Sequence, residues 1–269
     1  YSFFKKNRFD IVHIHEPLVP FISIFSLIFS RNKTVLTFHS TIKKSWMFKV
    51  WGFIFKPWLN KKDCFIAVSK SAKDSLLNYN YNLNVEIHPN GVANALFKNQ
   101  QNQKKDKIKI LFVGRNEERK GAEILLKAFQ IMKKNNIKKS FELVLIGQDI
   151  DKLINKYPSI ERCKFIGHTE GEKLYEHYFD SDILCAPAIE NESFGIILIE
   201  AMASKNVVVA SDISGYKELI NNKNGILFKN KDINDLSNKL TLLIENDNLR
   251  FNLKKNGYEF SKNYKWKFV

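Results

Sequence analysis

The chain has 269 residues, 44% of them hydrophobic and 26% charged, which is ordinary globular material with length for one large core or two modest ones and excludes disordered or collagen-like classes. Its net charge of +15 points to a polyanionic partner, either a lipid surface or nucleic acid, and no RNP, KH or zinc-finger pattern supports the second. Cys64, Cys163 and Cys185 lie far apart with no CxxC and no matching histidine spacing; this argues against a disulfide framework or a zinc site and makes a reducing cytosol the default.

Short apolar β-type runs alternate with helical patterns along the whole chain, the signature of parallel sheets covered on both faces. The first series predicts strands at 9–15, 34–39, 63–69 and 85–88. Between the second and third lies the run 42–62, IKKSWMFKVWGFIFKPWLNKK. It reads as one helix in which Trp46, Val50, Ile54 and Trp58 recur every four residues while Lys43, Lys44, Lys49, Lys56, Lys61 and Lys62 decorate the rest, with Trp51 adding a further aromatic. Two readings of it stand: a helix lying on an anionic bilayer surface, and a core helix with a solvated lysine rim. The polar run 98–107, KNQQNQKKDK, cannot bury itself and reads as a linker between a domain at 1–97 and one at 108–262.

The second series is more complete. Strands are predicted at 108–113, 141–146, 163–166, 183–186 and 207–210, with helices between them and two more after residue 232. The apolar runs around 21–29 and 46–55 fall short of the ~20 residues that span a bilayer, and no signal peptide opens the chain. A soluble or peripheral protein is expected.

The strongest chemical signal is the segment 192–204, ESFGIILIEAMAS, in which Glu192 precedes a helix and Glu200 lies inside it with seven residues between them. A helix turns by about 100° per residue, so the two carboxylates point roughly the same way. The free N–H groups of the helix start, expected from about Ser193 through Phe194 to Gly195, would sit between them and suit a phosphate. Carboxylates for hydroxyls on either side of a phosphate-binding helix start are what a nucleotide-sugar requires. Ligands of a doubly wound sheet bind beyond the carboxyl ends of its strands, and Arg115, after the strand at 108–113, and Lys120, at the start of the next helix, fall there. A guanidinium and an ammonium at that place would neutralise a diphosphate leaving group. For Arg119 a solvated turn is an equal reading.

These motifs resemble those of the retaining GT-B glycosyltransferases. The runs CAPAIENESFGIILIEAMA (185–203), VVVASD (207–212), VGRNEERKG (113–121), IHEP (14–17) and TFHS (37–40) look most like the phosphatidylinositol mannosyltransferases. The resemblance implies two Rossmann-like doubly wound domains facing a cleft, with the N-terminal, acceptor-side domain truncated and the 108–262 domain binding the nucleotide-sugar. Relatives carry further βαβ units and a glycine-rich loop before the point where Tyr1 stands, and residues 263–269 resemble the start of their C-terminal crossover helix, so the chain reads as a fragment.

By the same resemblance, His39 contacts the donor sugar across the cleft from Glu192, Glu192 holds sugar hydroxyls and Glu200 holds ribose hydroxyls. Ile166 and His168 meet the base, more through their backbone than through the imidazole. His13 and His15 are read as structural. Transfer would retain configuration, the departing diphosphate taking the acceptor proton. No DxD-type acidic cluster is present, in keeping with a family that needs no tightly bound metal or cofactor. The expected donor is GDP-mannose and the expected acceptor phosphatidylinositol or another lipid-linked acceptor. The protein would then be cytoplasmic and peripheral at the inner membrane face, its anionic-lipid contacts made by Lys43, Lys44, Trp46, Lys49, Trp51 and Trp58, without nucleic acid. A non-catalytic nucleotide-binding fragment and a UDP-sugar enzyme are the alternatives.

Overall fold

The structure, a computed structural model, describes residues 2–41, 46–77, 83–97, 106–158 and 160–269. It divides into two compact units, Tyr1–Asn90 with Asn191–Phe194, and Gly91–Glu190 with Gly195–Val269.

The first unit runs α1 (Ser2–Lys6), β1 (Ile11–His15), α2 (Ile22–Phe29), β2 (Lys33–Phe38), α3 (Trp46–Leu59), β3 (Cys64–Ala67), α4 (Lys70–Leu77) and β4 (Val85–Ile87). Its four strands lie in the order β1-β2-β3-β4, all parallel. That is one wing of a doubly wound sheet. Ile14, Leu36, Phe38 and Ala67 are buried on it, and Leu27, Leu59, Ala72 and Leu76 are among the buried positions of the covering helices. Strands β1, β3 and β4 are one to three residues shorter than their expected runs, and β2 is the same length but begins one residue earlier.

The second unit continues with β5 (Ile108–Val113), α5 (Ala122–Lys134), β6 (Phe141–Ile146), α6 (Leu153–Lys156), β7 (Cys163–Ile166), α7 (Gly171–Phe179), β8 (Ile183–Ala186), α8 (Ile196–Ala203), β9 (Val207–Ser211), α9 (Ser214–Lys217), β10 (Ile226–Phe228), α10 (Ile233–Glu245) and α11 (Asp247–Ser261). Its strand order is β10-β9-β8-β5-β6-β7. The chain winds outward one way from β5 through β7, then returns to β8 and winds the other way, so the topological switch point lies between β5 and β8. Central strands β8 and β9 are buried at every residue while the edge strand β7 is only partly covered, which is why they read as unbroken apolar runs. Helix α5 turns Ala122, Leu125, Leu126, Phe129 and Met132 inward, and Phe129 meets Phe141 edge-on with ring centroids 5.5 Å apart. Asp232 and Asn246 cap α10 and α11, each accepting a backbone N–H three residues on.

One expectation needs correction. The boundary falls after Asn90 rather than after residue 97, because Val92 pairs with Lys265, and Phe97 packs on Tyr258 with centroids 6.1 Å apart. Thus 91–97 and the 263–269 tail both belong to the second unit. Most of the expected linker, 98–105, lies outside the described residues. Strand β10 has only three residues, too few to announce themselves by periodicity.

A close backbone approach in the second unit is at Gly121, whose φ is +72°; a Cβ there would lie 1.9 Å from the Pro187 carbonyl oxygen. Gly171 has a similar φ of +59° with nothing within 4 Å of a built Cβ. Gly121→Ala should therefore cost at least about 2 kcal/mol more than Gly171→Ala, whose penalty is the left-handed backbone alone at about 1–2 kcal/mol. Urea unfolding of the two variants checks this difference.

Candidate active site

At the switch point, the loop after β5 and the loop after β8 are joined through main chain. The N–H of Ile189 donates to the carbonyl of Arg119 at 2.7 Å. The Asn230 amide donates to Ile189 O at 2.9 Å, and the Ser211 hydroxyl donates to Ala188 O. The Asn230 backbone N–H is in turn held by Asp212 at 2.9 Å. The segment 187–190 that leads to Glu192 is thus fixed from three strands. Sequence reasoning found none of these anchors: Ile189 and Ser211 lie inside the runs 185–203 and 207–212 but were given no role of their own, and Asn230 lies in no motif.

Arg115 follows β5 on the rim of the sheet. Its Nε is 2.9 Å from Glu117, which also holds Arg119 Nε at 2.7 Å. Lys120 closes the short 3₁₀ turn Glu118–Lys120, immediately before Gly121. Both predicted cations therefore sit in one loop after the carboxyl end of β5. Ile166 ends β7, and its carbonyl accepts the Gly147 N–H at 3.1 Å, so one of its backbone groups is already engaged. The His168 side chain is exposed, 3.4 Å from Glu170.

Helix α8 reads IILIEAMA, and five of its eight residues are buried. The Glu200 carboxylate lies among apolar residues and accepts the phenol O–H of Tyr178 at 2.8 Å. Burial pushes the Glu200 carboxyl up, while the Tyr178 hydrogen bond opposes that rise. Tyr178 is itself fully buried and its phenol is held well above its ordinary range, first by burial and then by Glu200. Tyr178 orients Glu200, and no signal in the sequence marked it.

The helix start differs from expectation. Gly195, at φ +78°, is the left-handed residue before α8, and Leu198 N–H closes onto its carbonyl at 2.9 Å. The first helical N–H groups are therefore those of Ile196 and Ile197, not those of Ser193 and Phe194. Tyr216 explains the requirement for glycine, since a Cβ on Gly195 would lie 2.8 Å from its ring. Glu192, Ser193 and Phe194 belong to the stretch that packs with the first unit. There Ser193 Oγ donates to the carbonyl of His39, and Phe194 is buried.

His39 follows β2 and is half-buried; burial and then the neighbouring His15 push its imidazole down, against the opposing Glu16. His13 is lowered for the same leading reason, burial, followed by His15 and His39. His15 and Glu16, read from sequence as structural or as motif, prove to contact His39 directly, with His15 Nδ1 2.7 Å from His39 Nε2. The HxH alternation was the signal for this cluster, but the strand register was needed to use it.

Of the proposed membrane-surface residues, Lys43 and Lys44 lie outside the described residues, while Trp46, Lys49, Trp51 and Trp58 are all on α3. Val50, Phe53 and Ile54 of that helix are exposed and Leu59 is buried. Lys62 is no free cation: it donates to Ser30 O at 3.0 Å. Burial pushes the Cys163 thiol up to about 12 and raises Cys185 further, so neither suits nucleophilic work. Among the described residues, no three His, Cys, Asp or Glu side chains group as a metal would need, and no helix is long and apolar enough to cross a membrane.

A doubly wound parallel unit with basic residues and a carboxylate-bearing helix at its switch point, in one chain with a second parallel α/β unit, defines the GT-B class of glycosyltransferase. Solved structures agree in fold. Sucrose-phosphate synthase from Thermosynechococcus elongatus superposes with a TM-score of 0.81 at 23% identity, covering 99% of this chain and 72% of that one. HepE of Anabaena in complex with UDP gives 0.79 at 17% identity, covering 95% and 74%. The family model for glycosyl transferases group 1 matches residues 94–260, and that for glycosyltransferase family 4 matches residues 1–95. A phosphatidyl-myo-inositol mannosyltransferase of Mycobacterium leprae is 31% identical over 271 aligned positions, covering 97% of this chain and 71% of the relative. The chain belongs to the group 1 glycosyltransferases.

The half-buried Glu200 carries a pH signature. Its folded-state carboxyl lies above the ordinary 4.5, so the native state holds the proton more tightly than the unfolded chain does. Stability should fall as pH rises from about 4.5 through the raised value. Glu200→Gln should flatten that slope. Tyr178→Phe should extend it to higher pH and lower stability at pH 7 by about 1–3 kcal/mol. Denaturant unfolding at a series of pH values reads both effects.

Proposed function

We propose that this glycosyltransferase moves mannose from GDP-mannose, with retention of configuration, to a phosphatidylinositol-type lipid at a membrane surface. The observation that carries the reading is the 31% identity across 97% of the chain to a protein named phosphatidyl-myo-inositol mannosyltransferase. The site geometry supports it. Arg115 and Lys120 lie in one loop at the switch point, where a diphosphate sits in this class of sheet. In this reading they neutralise the charge that develops as the nucleotide leaves. Glu200, held by Tyr178, takes the ribose hydroxyls, and the backbone of Ile166 and His168 meets the base. The N–H groups of Gly195 and the start of α8 face the phosphates.

Glu192 and His39 hold the sugar. The acceptor hydroxyl attacks from the face the diphosphate leaves, and the diphosphate oxygen takes its proton; the bond formed is acceptor oxygen to anomeric carbon, and the bond broken is anomeric carbon to phosphate oxygen. No protein nucleophile is needed, and no tightly bound metal or cofactor enters this scheme. The exposed apolar residues of α3, with Lys56 beside them, support its docking on an anionic lipid surface, each basic residue there contributing roughly 1 kcal/mol. That would place the protein on the cytoplasmic face of the membrane.

Calorimetry with GDP, UDP and ADP tests the donor. GDP should bind with preference, and Arg115→Ala with Lys120→Ala should abolish that binding. Preference for UDP would move the donor to a UDP-sugar, as in the HepE complexes with UDP and UDP-glucose; binding of no nucleotide would leave the chain a non-catalytic member of the family.

The lipid surface is tested by flotation. Recovery with anionic vesicles should exceed that with neutral ones at low salt and fall as salt rises. Equal recovery from both would remove the membrane role of α3.

A further inference from the structure

Strand alternation puts His13 and His15 on one face of β1. The parallel register sets His15 opposite Thr37, so His39, two residues beyond Thr37, follows on the same face of β2. The side chains interlock there. His13 Nε2 meets Thr37 Oγ1 at 2.7 Å, and His15 Nδ1 meets His39 Nε2 at 2.7 Å. The three rings are layered, with centroids 4.3 Å apart for His13 and His15 and 5.0 Å for His15 and His39.

Glu16 completes the group from the end of β1. Its Oε1 accepts the His39 backbone N–H at 2.6 Å and the Ser40 hydroxyl at 2.8 Å. Glu16 itself adopts a left-handed φ of 49°, uncommon for a residue with a side chain. Its own N–H donates to Thr37 O at 2.8 Å, and the carbonyl of His15 accepts from Ser23 Oγ at 3.1 Å. The end of β1 is thus tied on both sides, with its two polar side chains on His39.

We infer that His15 and Glu16 are positioning residues for His39: His15 engages Nε2 and leaves Nδ1 as the nitrogen that meets the donor sugar, while Glu16 fixes the main chain beneath the ring. This rests on the proposed role of His39 at the sugar. Two imidazole nitrogens 2.7 Å apart share one proton: one ring donates an N–H and the other accepts with its lone pair. With His39 donating, both rings carry their proton on Nε2, the form a neutral imidazole side chain favours in water. His39 Nδ1 is then a lone pair that accepts a sugar hydroxyl. A second proton would set N–H against N–H, so the pair works in its neutral form. The tautomer of the ring that touches sugar is therefore set by its neighbour.

Nitrogen-15 NMR of the full chain labelled at histidine reads the tautomer directly. Wild-type His39 should show a protonated Nε2 and a bare Nδ1. His15→Ala should give a mixture of tautomers, and His15→Gln, whose amide oxygen accepts an N–H, should retain the single form. A bare Nε2 in the wild type, or an unchanged His39 in His15→Ala, overturns the inference. Calorimetry with GDP-mannose and GDP supplies the second reading. His15→Ala and Glu16→Ala should each weaken GDP-mannose about three- to tenfold, the size of one hydrogen bond, and leave GDP unchanged, with Glu16→Gln recovering most of the loss. Equal GDP-mannose affinity in wild type and His15→Ala also overturns it. Failure of the wild type to bind either nucleotide would sink the donor reading instead, and the tautomer measurement would still decide the His15–His39 pair.

Discussion

The second unit depends on how closely two loops approach at its switch point. Gly121 brings its main chain against the Pro187 carbonyl, and the Ile189-to-Arg119 hydrogen bond locks that approach. A side chain at 121 would hold the loops apart. Parallel strands covered on both faces leave only their ends accessible, so any ligand chemistry must be built from loops. Holding those loops at backbone distance brings the cations after β5 and the segment after β8 to one end of the sheet.

Helix α8 places the opposite demand on the same region. It is apolar enough to be a core element, yet it carries a carboxylate. Burial raises the free energy of the ionised Glu200, and the Tyr178 phenol recovers part of it through one hydrogen bond. Such a group is rigid and poorly solvated, and it loses little by exchanging its remaining water for ligand hydroxyls. The Arg115–Glu117–Arg119 cluster is the solvated counterpart, with Arg115 more than half exposed. Its exposed ion pairs contribute little to stability. The two arrangements differ in kind: the carboxylate in α8 is held in one place by a buried phenol, while the Arg115 guanidinium after β5 stands in a solvated ion pair.

Much of this was legible in the residues. The strands β5, β6, β7 and β8 begin and end where their apolar runs do, because interior strands are covered on both faces and even the partly covered edge strand β7 keeps apolar residues at three of its four positions. The positions of Arg115 and Lys120 after β5 and of Glu200 inside α8 were legible because glycine and charge at a strand end or inside an apolar helix are locally conspicuous. Ser193 and Phe194 were misplaced as helix residues because the left-handed turn at Gly195 is decided by a ring, Tyr216, twenty-one residues later in the chain. The boundary at Asn90 was missed for a similar reason: Val92 finds its partner at Lys265.

The sequence by itself determined the alternation of strands and helices, the division into two parallel α/β units, and the kinds of side chain available at the strand ends. These are local properties, set by periodicity and by the conformational limits of single residues. Only the tertiary structure decided the strand order that creates the switch point, the phenol that holds Glu200, and the register that sets His15 against His39. Those are pairings between positions far apart in the chain, and neither partner carries a local mark of the other.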